Sequence, residues 1–342
     1  MTQRSVLTGG QRRRRRRPGH VLVVLVLGAL AAWAVDLTRD APRFARGPQR
    51  ASLGPAPAPA PSLPLDPHGP APLAGGGTEP SPLSIRLDAP RDPIRLRFRH
   101  PPRSGLLFDI DTGRVLWRRA PTRVLPIASL TKMMTALLVA ERLPRKARVP
   151  ITREALRYRG SGVGLLPRGK RIAVDTMLHG LLLPSGNDAA IALAQRAAGG
   201  SMARFVGMMN GRARAMGMLC TRFSRPDGYR DRGNHSCAGD LAVLARAVLR
   251  VPRLARIVRR RSAVLPFPIK GGRIYLYNNN PLLRSGYRGI TGLKTGYTNA
   301  AGPCLVATAR RRGRRLGVVL LHSPDPAGQA QRLLDRGWRV RR

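Results

Sequence analysis

The sequence predicts a mixed α/β chain of the α+β kind: one antiparallel sheet with strands from both ends of a folded region, and a helical part between them. Three observations carry this. Short apolar runs bounded by turn residues lie near residues 105–117 and again near 304–322. Between them run four segments with the length and capping of helices. Almost everything before residue 83 is too rich in Ala, Pro and Gly, or too basic, to build a core.

The chain opens on a basic segment, residues 1–20, that carries six adjacent arginines at 12–17. Residues 21–35 (VLVVLVLGALAAWAV) are apolar throughout. A positive flank before an apolar run is the mark of an exported or membrane-inserted chain. Fifteen residues suit a signal-peptide core and fall short of the roughly 20 that a span needs. Ala32-Trp33-Ala34 offers a small-x-small cleavage pattern. Cleaved or kept as an anchor, the segment sends the remainder out of the cytoplasm into the cell envelope. Residues 36–83 form an Ala/Pro-rich linker, an extended and semi-rigid stalk. The folded domain then runs over 84–342, starting near Leu83–Pro93.

Within it, residues 105–110 and 114–117 flank Asp111-Thr112-Gly113, two apolar runs around a turn, which predicts a hairpin. Residues 129–143 (SLTKMMTALLVAERL) are apolar nearly all round, as in a helix buried on every side. Residues 188–198 predict a second helix, stopped by Gly199-Gly200. A third covers 201–218, with Ser201 as its N-cap and Phe205, Met208, Met209 and Met216 as core residues. A fourth covers 239–249. Residues 304–309 and 316–322 read as strands joined by the Arg-rich turn 310–315, and 327–337 as a closing helix.

Composition narrows the function classes. The chain has 342 residues and is 43% hydrophobic but only 4% aromatic, so aliphatic and Ala side chains must build the core. Its net charge is +45. The first 83 residues hold 11 of the 62 basic and 4 of the 17 acidic side chains, so the folded region itself carries +38. Such a charge fits contact with anionic wall polymers or lipids. No nucleic-acid partner is expected, because no binding signature accompanies the charge and aromatics are not interleaved with the Arg runs. The three cysteines have no C-x-x-C spacing, so no metal is expected. In an oxidising compartment Cys220 and Cys237, which bracket a loop rich in Gly, Pro and charge, are expected to form a disulfide, leaving Cys304 as a buried thiol.

Three motifs carry chemistry. Ser129-Leu130-Thr131-Lys132 is an S-x-x-K at the start of the apolar segment. Residues three apart share a helix face, so the Lys132 amine lies beside the Ser129 hydroxyl. A serine hydroxyl is a weak nucleophile until a base takes its proton, and a buried lysine with lowered pKa can be that base. Ser185-Gly186-Asn187 follows an apolar run and presents one hydroxyl and one amide; alone, it reads equally as a helix N-terminus. Lys294-Thr295-Gly296 lies on a predicted strand, where the Lys-Thr pair can bind a carboxylate and Gly296 admits close approach of a substrate backbone.

In this order the three motifs are the signature of penicillin-binding proteins and β-lactamases. The flanks, such as PSGNDAAIALA, SRPDG and GITGLKTGYTNAAGPC, resemble the D-alanyl-D-alanine carboxypeptidase family over roughly residues 105–338. The resemblance implies a β-lactamase/transpeptidase-like fold, with residues 84–342 as the catalytic domain. It implies a serine-type carboxypeptidase that removes the terminal D-alanine from peptidoglycan stem peptides ending in D-Ala-D-Ala, without a cofactor, and that β-lactams acylate. Ser129 would be the nucleophile, Lys132 the general base, and Ser185 a proton relay. Asn187 would hold substrate, Lys294 and Thr295 its carboxylate, with Gly296 beside them. The backbone N–H groups of Ser129 and Tyr297 would form the oxyanion hole. Two departures stand out. Larger members carry an all-β domain after the catalytic one, and here four residues follow Trp338. Some also place an Arg at the start of the closing helix, which here falls near Pro326.

Two rivals remain. A class A β-lactamase shares the fold and the motifs but needs a glutamate to activate the deacylating water. No Glu occurs after Glu154, so none follows the Ser-Gly-Asn motif. A non-catalytic wall or polyanion binder would explain the charge but not the intact set of catalytic side chains.

Overall fold

The computed structural model describes residues 81–341, apart from 165, 230 and 231. The basic segment, the apolar run 21–35 and the linker up to residue 80 lie outside the described residues. Among the described residues no helix is long and apolar enough to cross a membrane.

A five-stranded sheet organises the domain. Its order is Val115–Arg119, Ser104–Asp109, Arg314–Leu321, Cys304–Arg311, Ile290–Gly296, and every neighbouring pair is antiparallel. Strands from both ends of the domain therefore meet in the middle, with Leu106 opposite Val319. The first hairpin turns where the Asp109 carboxylate accepts the N–H groups of Asp111 and Thr112, a local bond that short acidic side chains make readily. Side chains alternate across a strand. Leu106, Phe108, Val306, Val319 and Leu321 face the larger core with the helices, whereas Leu107, Leu305, Val318 and Leu320 face a smaller core under the closing helix Pro326–Gly337.

The helical part packs on the first of these faces. Helices Lys132–Arg142, Val174–Leu182, Asn187–Ala197, Met202–Ala215 and Ala238–Arg250 enclose a core built mainly of Leu, Ala, Val, Ile and Met. Ser201 caps its helix by accepting the Arg204 N–H at 3.1 Å. Phe205, Met209 and Met216 are buried and Met208 packs on the core edge.

The structure corrects several expectations. The segment 129–143 is not one helix: Ala128–Thr131 is a 3-10 turn and the α-helix begins at Lys132. The Arg-rich turn is shorter than 310–315, because the strands run on to Arg311 and resume at Arg314, leaving Arg312-Gly313 at the tip. Leu83, at the boundary between the expected linker and the expected start of the domain, packs on the core. The helix Val174–Leu182 and the hairpin Ser262–Pro266 with Arg273–Tyr277 were not among the expected elements.

Cys220 and Cys237 are joined in a disulfide, and Cys304 is a buried thiol. These two sulfurs and the Asp240 carboxylate are the only metal-type group among the described residues. The sulfurs bond each other, and Asp240 accepts from the Cys220 N–H and the Thr221 hydroxyl.

Candidate active site

Three structural pieces converge on Ser129. The 3-10 turn supplies Ser129 and the helix start supplies Lys132. In a 3-10 turn residues three apart eclipse, so Ser129 and Lys132 are aligned more closely than on an α-helix. Lys132 Nζ lies 2.8 Å from Ser129 Oγ. The turn is set by an unusual backbone: Ala128 has φ 46°, in the left-handed region, and its carbonyl accepts the Thr131 hydroxyl at 2.8 Å. A non-glycine residue there stores about 1–3 kcal/mol of strain that its surroundings must hold. Part of that support is Gly228. A Cβ on it would stand 2.1 Å from the Ala128 oxygen, so only glycine lets the Asp227-Gly228 loop lie against the turn.

The second piece is the loop between two helices. Ser185 also has a left-handed φ, 70°, and Asn187 begins the helix behind it. Asn187 Oδ1 accepts from Lys132 Nζ at 2.6 Å, and its amide donates to the Arg159 carbonyl. The Asp227 carbonyl accepts from the same amine at 2.6 Å.

The third piece is the strand Ile290–Gly296 at the sheet edge. Lys294 Nζ lies 2.9 Å from Ser185 Oγ and 2.8 Å from the Thr295 carbonyl. A Cβ on Gly296 would come within 2.9 Å of the Ile127 oxygen and 3.1 Å of the Ser129 nitrogen, so the strand presses against the serine's own backbone. Ser129 and Thr295 are half-buried and Tyr297 is exposed, which gives the cluster a mouth to solvent.

Electrostatics separates the two lysines from ordinary ones. Lys132 and Lys294 are fully buried. Burial pulls the Lys132 pKa down to about 7 against the opposing pull of the Asp227 and Asp188 carboxylates. Burial also lowers Lys294, and the positive charge of Lys132 lowers it further. A charge on Lys132 thus disfavours charge on Lys294. A neutral Lys132 has two N–H bonds and one lone pair. Asn187 Oδ1 and the Asp227 carbonyl are pure acceptors and take the N–H bonds, which directs the lone pair at the Ser129 hydroxyl. An anionic carboxylate at the mouth favours charge on Lys294.

Ser129, Lys132 and Asn187 are thus joined by hydrogen bonds, Lys294 joins Ser185 and the Thr295 carbonyl, and Gly296 lies against the Ser129 backbone. The sequence reading missed the supports. Asp188 accepts N–H groups from Val163 and Gly164 and so ties the 160–164 loop to the helix. The Asp227 carbonyl and the Arg159 carbonyl hold the lysine and the asparagine. The flanks PSGNDAAIALA and SRPDG contain Asp188 and Asp227, but the sequence reading assigned neither a role. Position 326, where some members carry an Arg, holds a proline that opens a helix capped by Asp325.

A serine and a buried lysine of lowered pKa, set beside a second buried lysine on a sheet edge, define an acyl-transfer type of site on a sheet-plus-helices fold. Comparison with known proteins gives the family. The model of the D-alanyl-D-alanine carboxypeptidase family matches residues 97–325, and the chain belongs to that family. The D-alanyl-D-alanine carboxypeptidase DacF of Bacillus subtilis is 33% identical over 244 residues, covering 69% of this chain and 62% of the relative. DacB2 of Mycobacterium tuberculosis is 34% identical over 246 residues, covering 70% of this chain and 82% of the relative. The crystal structure of the Streptomyces K15 DD-transpeptidase superposes with TM-score 0.67 at 30% identity, covering 72% of this chain and all of that one. The chain therefore spans a little under two thirds of DacF and the whole of the transpeptidase, whose fold it shares.

Proposed function

We propose that this protein is a serine-type D-Ala-D-Ala carboxypeptidase that acts outside the cytoplasm on peptidoglycan stem peptides and is acylated by β-lactams. The observation that carries the reading is the buried Lys132 amine, 2.8 Å from Ser129 Oγ and with its pKa pulled down to about 7. Lys132 takes the hydroxyl proton as Ser129 Oγ attacks the carbonyl between the two D-alanines. The tetrahedral oxyanion lies between the N–H groups of Ser129 and Tyr297. Lys294 and Thr295 hold the terminal carboxylate, and Asn187 supports the substrate amide. The C–N bond then breaks, and the proton on Lys132 passes by way of Ser185 to the leaving D-alanine amine. Water, deprotonated by Lys132, cleaves the ester and regenerates Ser129. Export rests on the Arg-flanked apolar run 21–35.

The test is mass spectrometry after incubation with a penicillin. The adduct is expected on Ser129 and is expected to vanish in Ser129→Ala, which keeps its fold. An adduct on that variant would sink the assignment. The full-length likeness to a DD-transpeptidase supports a second outcome from the same acyl-enzyme, in which an amine replaces water. Adding a D-amino acid acceptor to the peptide assay separates the two by product.

A further inference from the structure

We propose that the end of the sheet opposite the candidate active site is a docking face for an anionic phospholipid surface, so that the bound domain points Ser129 away from the bilayer. At the tip of the Cys304–Arg311 and Arg314–Leu321 hairpin, Arg310 and Arg312 are exposed, and Arg288 is exposed beside them on the loop before Ile290. These residues line a cleft of about 540 Å³ with Arg311 and Trp338. The cleft has a built wall. Arg311 lies over the rings of Tyr287 and Trp338 at 4.7 and 5.1 Å, the Trp338 N–H donates to the Tyr287 hydroxyl, and that hydroxyl donates to Asp335. Among the described residues no acidic side chain pairs with Arg288, Arg310 or Arg312, or with exposed Arg86. Unpaired guanidinium groups flanked by partly exposed Trp and Tyr are the chemistry that meets lipid phosphates at a membrane interface.

Two features of the fold favour a bilayer over a polymer strand. The first is where the domain begins. Arg86 bridges Arg114 at the turn of the first hairpin, and the Ser84 carbonyl accepts from Arg246. Arg315 pairs with Asp111 in that same turn. The first described residues and the Arg-rich tip thus share one end of the sheet. The second is the distance. Thr295 lies opposite Leu305, seven residues along the strand from Arg312, which is about 23 Å at 3.3 Å per residue. One end therefore carries the start of the domain and the Arg- and Trp-lined cleft, and the other carries the candidate site. The meaning of this orientation rests on the proposed function, but the lipid contact does not.

Hydrogen–deuterium exchange on the full chain tests it, because it reads each segment separately from the contribution of the N-terminal apolar run. Vesicles of phosphatidylglycerol with phosphatidylcholine are expected to slow exchange at 286–289 and 311–314. Phosphatidylcholine alone is expected not to, and the slowing is expected to be lost at about 0.5 M salt. R288Q/R310Q/R312Q is expected to lose the slowing while Ser129 is still acylated by penicillin. Unchanged exchange at these segments on anionic vesicles overturns the proposal. So does slowing by soluble poly(glycerol phosphate) without slowing by vesicles, which would identify a wall polymer instead. Loss of acylation in the parent chain would count against the proposed function and leave the lipid result standing.

Discussion

Acylation of Ser129 by a labelled penicillin is expected to follow one ionisation near pH 7, that of Lys132. Only the neutral amine can accept the hydroxyl proton, so the rate rises with pH. An amine at its ordinary value of 10.5 is neutral in about one molecule in 3,000 at pH 7, whereas burial brings this one to about 7 and makes it neutral in about half. Burial thus raises the competent fraction roughly a thousandfold. Below pH 6 the rate should fall about tenfold per pH unit, and above pH 8 it should level off. Lys132→Ala removes the base and should lower the plateau by a factor of about 10² to 10⁴, with no inflection left near 7. The assay is the initial rate of label incorporation from about pH 5.5 to about pH 8.5, with circular dichroism to show that the variant is folded. A rate flat across this range would refute the reasoning. So would an inflection that survives in Lys132→Ala, since the titrating group would then be another.

Three more outcomes follow from the geometry. Gly228→Ala should cost more than about 2 kcal/mol of stability in thermal unfolding and slow acylation as well, because its φ is 69° and the new methyl meets the Ala128 oxygen one residue before the nucleophile; wild-type acylation would refute the support given to the turn. Under denaturing, non-reducing conditions the protein should show one titratable thiol, that of Cys304, and reduction should cost about 3 kcal/mol for a loop closed over 17 residues. The β-lactam adduct should be long-lived, because no glutamate follows Glu154 to activate water and the opened ring keeps the leaving amine in place; sustained nitrocefin turnover would favour the β-lactamase reading.

The sequence by itself determined the fold class and the chemistry. Periods of two and of 3.6 residues are local properties of the backbone, so the strands at 105–117 and 304–322 and five of the helices were legible within a few residues. Ser129 and Lys132 were legible for the same reason, since residues three apart meet without help from the rest of the chain. The match of three motifs to a family joined Ser185, Asn187, Lys294 and Thr295 to them, although spacing alone says nothing about residues more than 50 positions apart. Tertiary structure alone decided the rest. The 3-10 turn at Ala128–Thr131 replaces the expected helix start because the Asp227-Gly228 loop and the Gly296 backbone press on it from outside. The carbonyls of Asp227 and Arg159, which aim the lysine and the asparagine, are backbone atoms that every residue carries, so no side-chain pattern could mark them. The pKa of Lys132 is likewise a property of its surroundings: a lysine is charged in water, and only the packed core around it brings the pKa down to about 7, so that about half of the amines are neutral at pH 7.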